Sequence, residues 1–293
     1  MPLKDWLAAL LVIVIWGVNF VVIKVGLNDV PPLLLGGLRF SLVAFPAIFF
    51  VKRPTVGWRA LMLYAFTISF AQFIFLFTAI YIGMPAGLSS LVMQSQAFFT
   101  VLIAAMFLGE RVRRHNVIGI AVAVLGLVLI GWGATPGSVP ILGFVLTLCS
   151  ALCWAVGNII IKGFGKVDMV ALVVWGALIP PIPFFVLSWF VEGPAQIHYA
   201  LVNISVLGIG AVFYLAFIST NVGFTLWGRL LSKHPVSKIA PLSLLIPVIG
   251  LVSSWLMLGE HMTLLQWVSG AIVVVGLAMN IFGMKLLPRL ARR

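Results

Sequence analysis

Trp16-Gly17-Val18-Asn19-Phe20-Val21-Val22-Ile23-Lys24 returns later in the chain as Trp154-Ala155-Val156-Gly157-Asn158-Ile159-Ile160-Ile161-Lys162. The Trp and the Lys align, and the Asn is displaced by one place. Leu108-Gly109-Glu110 returns as Leu258-Gly259-Glu260 at an offset of 150, where Pro85 also matches Pro235 and Gly126 matches Gly276. Correspondences in one order mark an internal duplication. The first unit covers 1–133 and the second 138–293.

Each unit is built from apolar runs. Of the 293 residues 63% are hydrophobic and only 8% charged, against about 25% charged in an ordinary soluble domain. Most of the surface must therefore face lipid. Segments of about 20 apolar residues suffice to cross a bilayer. Ten fit, near 6–27, 33–51, 60–82, 86–108, 116–133, 138–161, 169–190, 200–224, 236–258 and 264–286. Turn signals separate them, among them Pro31-Pro32, Thr135-Pro136-Gly137, Glu192-Gly193-Pro194 and His234-Pro235. The first run is too long for a signal-peptide core and lacks a small-residue cleavage site, so it reads as a retained span.

Lysine and arginine test this count. With a cytoplasmic N-terminus, the inside segments hold Lys4; Lys52, Arg53 and Arg59; Arg111, Arg113 and Arg114; Lys162 and Lys166; Arg229, Lys233 and Lys238; and Lys285, Arg289, Arg292 and Arg293. Only Lys24 and Arg39, near the outer ends of their spans, escape the bias. The expected fold is an all-α membrane protein of ten transmembrane helices with both termini cytoplasmic. Because each repeat holds an odd number of spans, the second enters the membrane upside down. Two inverted five-helix repeats share a pseudo-two-fold axis in the membrane plane, with a site near the midplane between them.

The net charge of +12 is spread over short loops, leaving no basic face for a nucleic acid. Cys149 and Cys153 sit on neighbouring turns of one apolar segment without His or acid nearby, and read as packing residues. No cofactor or metal is expected.

These same residues carry a resemblance. Trp16-Gly17-x-Asn19-Phe20 with Lys24, Leu38-Arg39-Phe40, and Leu108-Gly109-Glu110-Arg111 before Gly119 and Gly126 resemble one EamA domain. Trp154, Asn158, Lys162 and Leu258-Gly259-Glu260 resemble a second. Tandem EamA domains imply the drug/metabolite transporter superfamily, and the sequence is similar to its bacterial aromatic amino-acid exporters. The resemblance implies a multi-pass carrier of a bacterial cytoplasmic membrane. The second unit lacks a counterpart of Arg39-Phe40; Trp175-Gly176 and Pro180-Pro181-x-Pro183 stand in its place.

Polar groups inside a membrane are costly without partners, so each is a candidate for function. Trp16, Phe20 and Ile23 share a helix face with Asn19 at its edge; Trp154, Asn158 and Ile161 do the same. Helical periodicity puts Tyr214, Asn221 and Thr225 in one arc and Gln72 with Phe75 on one face. Met93 and Gln94 come from the fourth span, where Gln94 and Gln96 point roughly 200° apart, so only one of them can line a central cavity. The expected substrate site joins Trp16, Asn19, Gln72, Phe75, Met93, Gln94, Trp154, Asn158, Tyr214 and Asn221: aromatic walls with amide donors and acceptors, suited to a zwitterion with an apolar side chain. The bland alternative is that these amides only bond helix to helix.

Lys24 and Lys162 are read as snorkelling to the interface, with Lys24 placed to meet Asp29 or an anionic group. Arg39 is read as bonding backbone carbonyls or a lipid headgroup. Glu110 and Glu260 are read as caps or loop pairs. The small-residue faces of Gly119, Ala123 and Gly126 and of Gly270 and Gly276 allow close helix approach, within a monomer or, alternatively, across a homodimer. Prolines 180, 181, 183, 241 and 247 are expected to bend their spans.

All six carboxylates and all four histidines fall in loops or at helix ends. Proton-coupled carriers commonly keep such a group inside the spans, and no phosphate-binding loop is present. The reading is therefore a facilitated exporter of small neutral or zwitterionic metabolites, aromatic or large neutral amino acids foremost, with the membrane lipid as its other partner. The alternative is a multidrug or other metabolite exporter of the same superfamily, with or without proton coupling. An intramembrane enzyme would need a metal or acid–base motif in the spans, and a channel a charged ring or repeated pore motif; neither is found.

Overall fold

The computed structural model describes residues 1–110, 112–133, 139–165, 167–234 and 236–286. Expectations resting on Arg111, Thr135-Pro136-Gly137, Lys166, Pro235, Arg289, Arg292 and Arg293 lie outside the described residues. Within them all regular structure is helical. The long helices are α1 (Leu3–Asp29), α2 (Pro32–Phe49), α3 (Trp58–Tyr81), α4 (Ala86–Leu108), α5 (Arg114–Trp132), α6 (Ile141–Gly163), α7 (Met169–Val191), α8 (Val206–Lys233), α9 (Leu242–Leu258) and α10 (Leu264–Leu286). Nine are long and apolar enough to cross a membrane, and α9 is a shorter apolar helix. Large apolar side chains such as Met106, Phe107, Trp132, Phe190 and Val206 stand exposed on the outside of the bundle. Water would penalise such a surface and hydrocarbon would not.

Equivalent helices of the two halves pack against each other: α2 on α7, α4 on α9, α5 on α10. Contacts between halves are matched as well, α1 against α8 and α9, and α6 against α3 and α4. Within each equivalent pair the chains run in opposite directions. A Cβ built on Gly119 would meet Gly276 and Asn280, one on Gly126 would meet Ser269 and Val273, and one on Gly133 would meet Leu265. As the numbers rise along α5 they fall along α10.

Three carboxylates close helix starts from far away in the chain. Glu192 accepts hydrogen bonds from the Leu33 and Leu34 amides at 2.6 and 3.0 Å and from Ser188 Oγ at 2.6 Å. Glu260 accepts from the Ala86 and Gly87 amides at 2.8 and 3.1 Å. Asp29 takes the Ser205 amide at 3.0 Å and its hydroxyl. The first turn of a helix has N–H groups without intrahelical partners and a positive dipole end, so a carboxylate there satisfies both.

Two segments depart from expectation. The span read as 200–224 begins at Val206 and runs on to Lys233, while Pro194–Asn203 forms a separate short helix. Pro194 needs no amide partner at a helix start, and Ser205 opens α8 by accepting from the Gly208 amide at 3.0 Å. The ninth segment is composite, a short helix Val236–Ile239 and a tight 3-10 turn Ala240–Leu244 before Leu245–Leu258. The prolines of α7 act as expected: the helix stops at Gly176 and restarts at Pro181.

Candidate functional site

Both α3 and α8 widen into π-helix at matching places, Ala65–Ala71 and Tyr214–Val222. The separation is close to the 150-residue offset of the Leu-Gly-Glu motifs. A π stretch adds a residue per turn, leaves backbone groups open to side chains, and concentrates at functional sites. Each lies against the Trp/Asn-bearing helix of the other half, Ala65–Ala71 on α6 and Tyr214–Val222 on α1.

On the α1 side the nominated residues are brought together. The Trp16 indole donates to the Ser219 carbonyl at 3.0 Å, and Ser219 Oγ donates to Asn19 Oδ1 at 2.7 Å. Tyr214 OH donates to the Ile15 carbonyl at 2.9 Å. The Trp16 ring lies 5.3 Å from Phe224 and 5.4 Å from Trp227. Gly223 is required here, because a Cβ would stand 2.6 Å from Trp16 Nε1.

The α6 side is wired differently. Asn158 Nδ2 donates to Gln96 Oε1 at 3.1 Å and lies 3.3 Å from Thr100 Oγ1. Gln94 Nε2 instead donates to the Ser243 carbonyl at 3.0 Å. Of the two glutamines it is Gln96 that meets a nominated residue and Gln94 that ties α4 to the α9 turn. Trp154 packs half-buried on the aromatic core, and its indole makes no hydrogen bond among the described residues. Met93 is buried in the same core. Phe75 is half-buried and pairs with no other ring among the described residues. Gln72 is buried; its carbonyl accepts from Ser150 Oγ at 2.8 Å, and its side-chain Oε1 has no partner. Asn221 Oδ1 is likewise buried and unpartnered. The shared arc expected for Tyr214, Asn221 and Thr225 assumes 3.6 residues per turn, and the π stretch shifts that phase.

Arg39 corrects the reading made of it. It is 3% exposed, in a cluster of Phe40, Phe70, Phe73, Phe77 and Phe184. It meets neither a backbone carbonyl nor a headgroup position: Nη2 donates to Thr220 Oγ1 at 2.9 Å, and the guanidinium stands 4.1 Å from the Phe73 ring centroid. Nε and Nη1 are buried without partners, and no carboxylate of the described residues lies within ion-pair distance. Burying an uncompensated ion costs several kcal/mol, and a desolvated ring contact returns about 2 kcal/mol or somewhat more, which offsets only part of it.

Lys24 also differs from expectation, donating to the Ile80 carbonyl at 3.3 Å rather than meeting Asp29. It lines a pocket of about 320 Å³ with Glu260, His261 and Gln266. Its repeat counterpart Lys162 is salt-bridged to Glu110, both side chains about half exposed. The sequence signals for Arg39 and Lys24, cations inside apolar spans, were visible; their partners were not.

The EamA-like transporter family matches the chain twice, over residues 4–132 and 141–282. A protein of Escherichia coli described as a "probable amino-acid metabolite efflux pump" is 51% identical over 97% of both chains, and its Salmonella typhimurium counterpart is 49% identical over the same shares. A "probable terminal-alkyne amino-acid exporter" of Streptantibioticus cattleyicolor is 25% identical over 92% of this chain and 90% of its own. A solved crystal structure superposes with a TM-score of 0.65 at 19% identity over 97% of this chain and 98% of that one, a likeness of fold. With family matches in both halves and apolar helices throughout, this is a multi-pass inner-membrane transporter and not an enzyme. The chain belongs to the EamA-like transporter family.

Proposed function

We propose that this transporter exports small zwitterionic or neutral metabolites, aromatic and large neutral amino acids foremost, by alternating access between two inverted repeats, 1–133 and 138–293. Ten spans with both termini cytoplasmic fit this reading. The positive-inside bias supports that orientation, and the opposed directions of α5 and α10 support the inversion. Amino-acid metabolites and a terminal-alkyne amino acid are the cargo in the descriptions of the relatives. The observation that carries the proposal is the pair of matching π stretches, each docked on the Trp/Asn-bearing helix of the other half. On this reading Trp16, Asn19, Tyr214 and Asn221 line one side of the substrate site and Gln72, Phe75, Met93, Trp154 and Asn158 the other. Gln94, tied to Ser243, belongs to the wall that supports it.

Movement follows the solute gradient. Glu192, Glu260 and Asp29 are engaged at helix starts and Glu110 with Lys162, which leaves none of them at the centre to carry a proton. Counterflow of labelled amino acids in proteoliposomes tests this. Exchange of aromatic or large neutral amino acids that survives collapse of the pH gradient is the expected result, and abolition by an uncoupler refutes the gradient-following mechanism. Alanine at Trp16, Asn158 or Tyr214 is expected to cut exchange while the protein is still made, with Trp16→Ala also lowering the unfolding temperature, and wild-type rates in all three refute the site.

A further inference from the structure

Four buried atoms in this region lack a hydrogen-bond partner: Arg39 Nε, Arg39 Nη1, Gln72 Oε1 and Asn221 Oδ1. The first two are donors and belong to a cation; the last two are acceptors. Both acceptors sit one residue along the chain from a group that Arg39 touches, Gln72 beside Phe73 and Asn221 beside Thr220. The other buried side-chain atoms left unpaired among the described residues are two serine hydroxyls of α4, Ser89 and Ser95. Buried polar groups are ordinarily satisfied, and a permanent cation without a counter-ion is the strongest exception.

The rest of the cluster has the complementary character. Phe40, Phe73 and Phe77 surround the guanidinium at 5.5, 4.1 and 6.0 Å. They give it a π-face and give a ligand an apolar wall, but they accept no strong hydrogen bond. A guanidinium stays protonated and supplies several N–H donors in a fixed plane, which suits a carboxylate better than any neutral group. An ammonium group needs the opposite, carbonyl oxygens, which the two amides hold ready.

We infer that Arg39 is the residue that binds the carboxylate of the transported solute, with the Gln72 and Asn221 amide oxygens receiving its ammonium group. The inference rests on the proposed site and deepens it, moving the carboxylate from the amides to Arg39. Thr220 anchors the guanidinium to the π stretch of α8 and accepts only one of its nitrogens. The solute completes the set of partners: its carboxylate pairs with the guanidinium, and its ammonium group is held by the two amide oxygens. A solute without a carboxylate leaves that cation uncompensated and is rejected.

The test uses the full chain in proteoliposomes, exchanging labelled L-phenylalanine or L-leucine against unlabelled L-phenylalanine, L-phenylalaninamide and 3-phenylpropionate. Wild type is expected to discriminate against the amide by roughly 10- to 100-fold, the loss that follows when a charged buried group goes unpaired. In Arg39→Gln the acid-over-amide preference is expected to collapse toward unity, while Arg39→Lys keeps part of it. Wild type that accepts the amide as well as the amino acid overturns the inference without recourse to any variant. So does Arg39→Gln that folds and keeps the wild-type preference, or that loses both solutes equally at unchanged thermal stability. Wild type that exchanges neither amino acid is a different result: it refutes the amino-acid reading itself and the inference with it.

Discussion

Gly119 and Gly276 face each other so closely that a Cβ on the first would stand 2.7 Å from the carbonyl oxygen of the second, and a Cβ on the second 2.6 Å from the carbonyl of the first. The reciprocity has a structural meaning. These residues are not themselves repeat partners, since Gly126 is the counterpart of Gly276, yet both backbones of the α5–α10 pair approach without intervening side chains. Close approach maximises dispersion contact where lipid offers no hydrophobic drive for association. It also shows the small-residue faces of Gly119, Ala123 and Gly126 and of Gly276 engaged inside one chain.

Valine at either glycine is therefore expected to force the helices apart. Overpacking of this kind costs about 1–3 kcal/mol, and here the obstructing atoms are backbone that cannot rotate away. Gly119→Val and Gly276→Val are expected to lower the midpoint of thermal unfolding in detergent, followed by size-exclusion fluorescence. Gly210→Ala, with no atom within 4 Å of the added Cβ, is the neutral comparison.

The two Leu-Gly-Glu motifs end in the same residue but hold different partners. Glu260 is seated on two amides at the start of α4, whereas Glu110 makes an ion pair with Lys162 that is about half exposed. Exposed pairs contribute about 0–1 kcal/mol, and a helix-start acceptor about 0.5–2 kcal/mol. Glu260→Ala is accordingly expected to destabilise the protein more than Glu110→Ala does. It is also expected to loosen the contact of α9 with α4, measured as faster modification of a cysteine placed at Leu88. Equal losses in the two variants would remove the distinction.

The duplication, the helix-rich fold and the glycine faces could be read from sequence because their signals are local: a recurring Trp…Lys run, apolar length, small residues one turn apart. What escaped depends on partners far along the chain. Arg39 finds Thr220 across 181 residues, and nothing in its own neighbourhood of Leu38 and Phe40 announces that hydroxyl. The two π stretches also escape, since a regular helical projection of Tyr214 and Asn221 has a phase that the wider turns change. The choice between Gln94 and Gln96 is not legible in the sequence for a related reason. Met93–Ser95 is a tight 3-10 turn, so the angle between the two glutamines is not that of an α-helix. The eighth span starts at Val206 and not at 200 because Ala200-Leu201-Val202, which read as part of the crossing, belong to the end of the short Pro194–Asn203 helix.

Trp16 and Trp154 hold equivalent places in the motif but differ in their indole nitrogens. Trp16 donates to the Ser219 carbonyl, while Trp154 has no protein acceptor among the described residues. Phenylalanine at 16 leaves a π-stretch carbonyl without its donor, costing about 1–3 kcal/mol. Trp16→Phe is therefore expected to reduce thermal stability as well as exchange. Trp154→Phe removes only what a solute could use, and it is expected to weaken exchange with little change in unfolding temperature. Stability losses of equal size would show that Trp154 is as structural as Trp16.

The Asn158–Gln96 bond joins α6 to α4, and Gln94–Ser243 joins α4 to α9, so α4 is tied on both sides by one amide each. Only the first tie includes a nominated substrate residue. In a double-mutant cycle, Asn158→Ala and Gln96→Ala are expected to be non-additive in stability by about 0.6–2 kcal/mol, the range for such bonds between membrane helices. Asn158→Ala with Gln94→Ala, which share no partner, is expected to add. The exchange assay then separates packing from binding. Gln96→Ala frees the Asn158 amide without removing it, so solute affinity is expected to survive in Gln96→Ala and to fall in Asn158→Ala. Parallel losses in both would mean that Asn158 acts through its helix contact, and α6 itself would contribute only Trp154 to the substrate site.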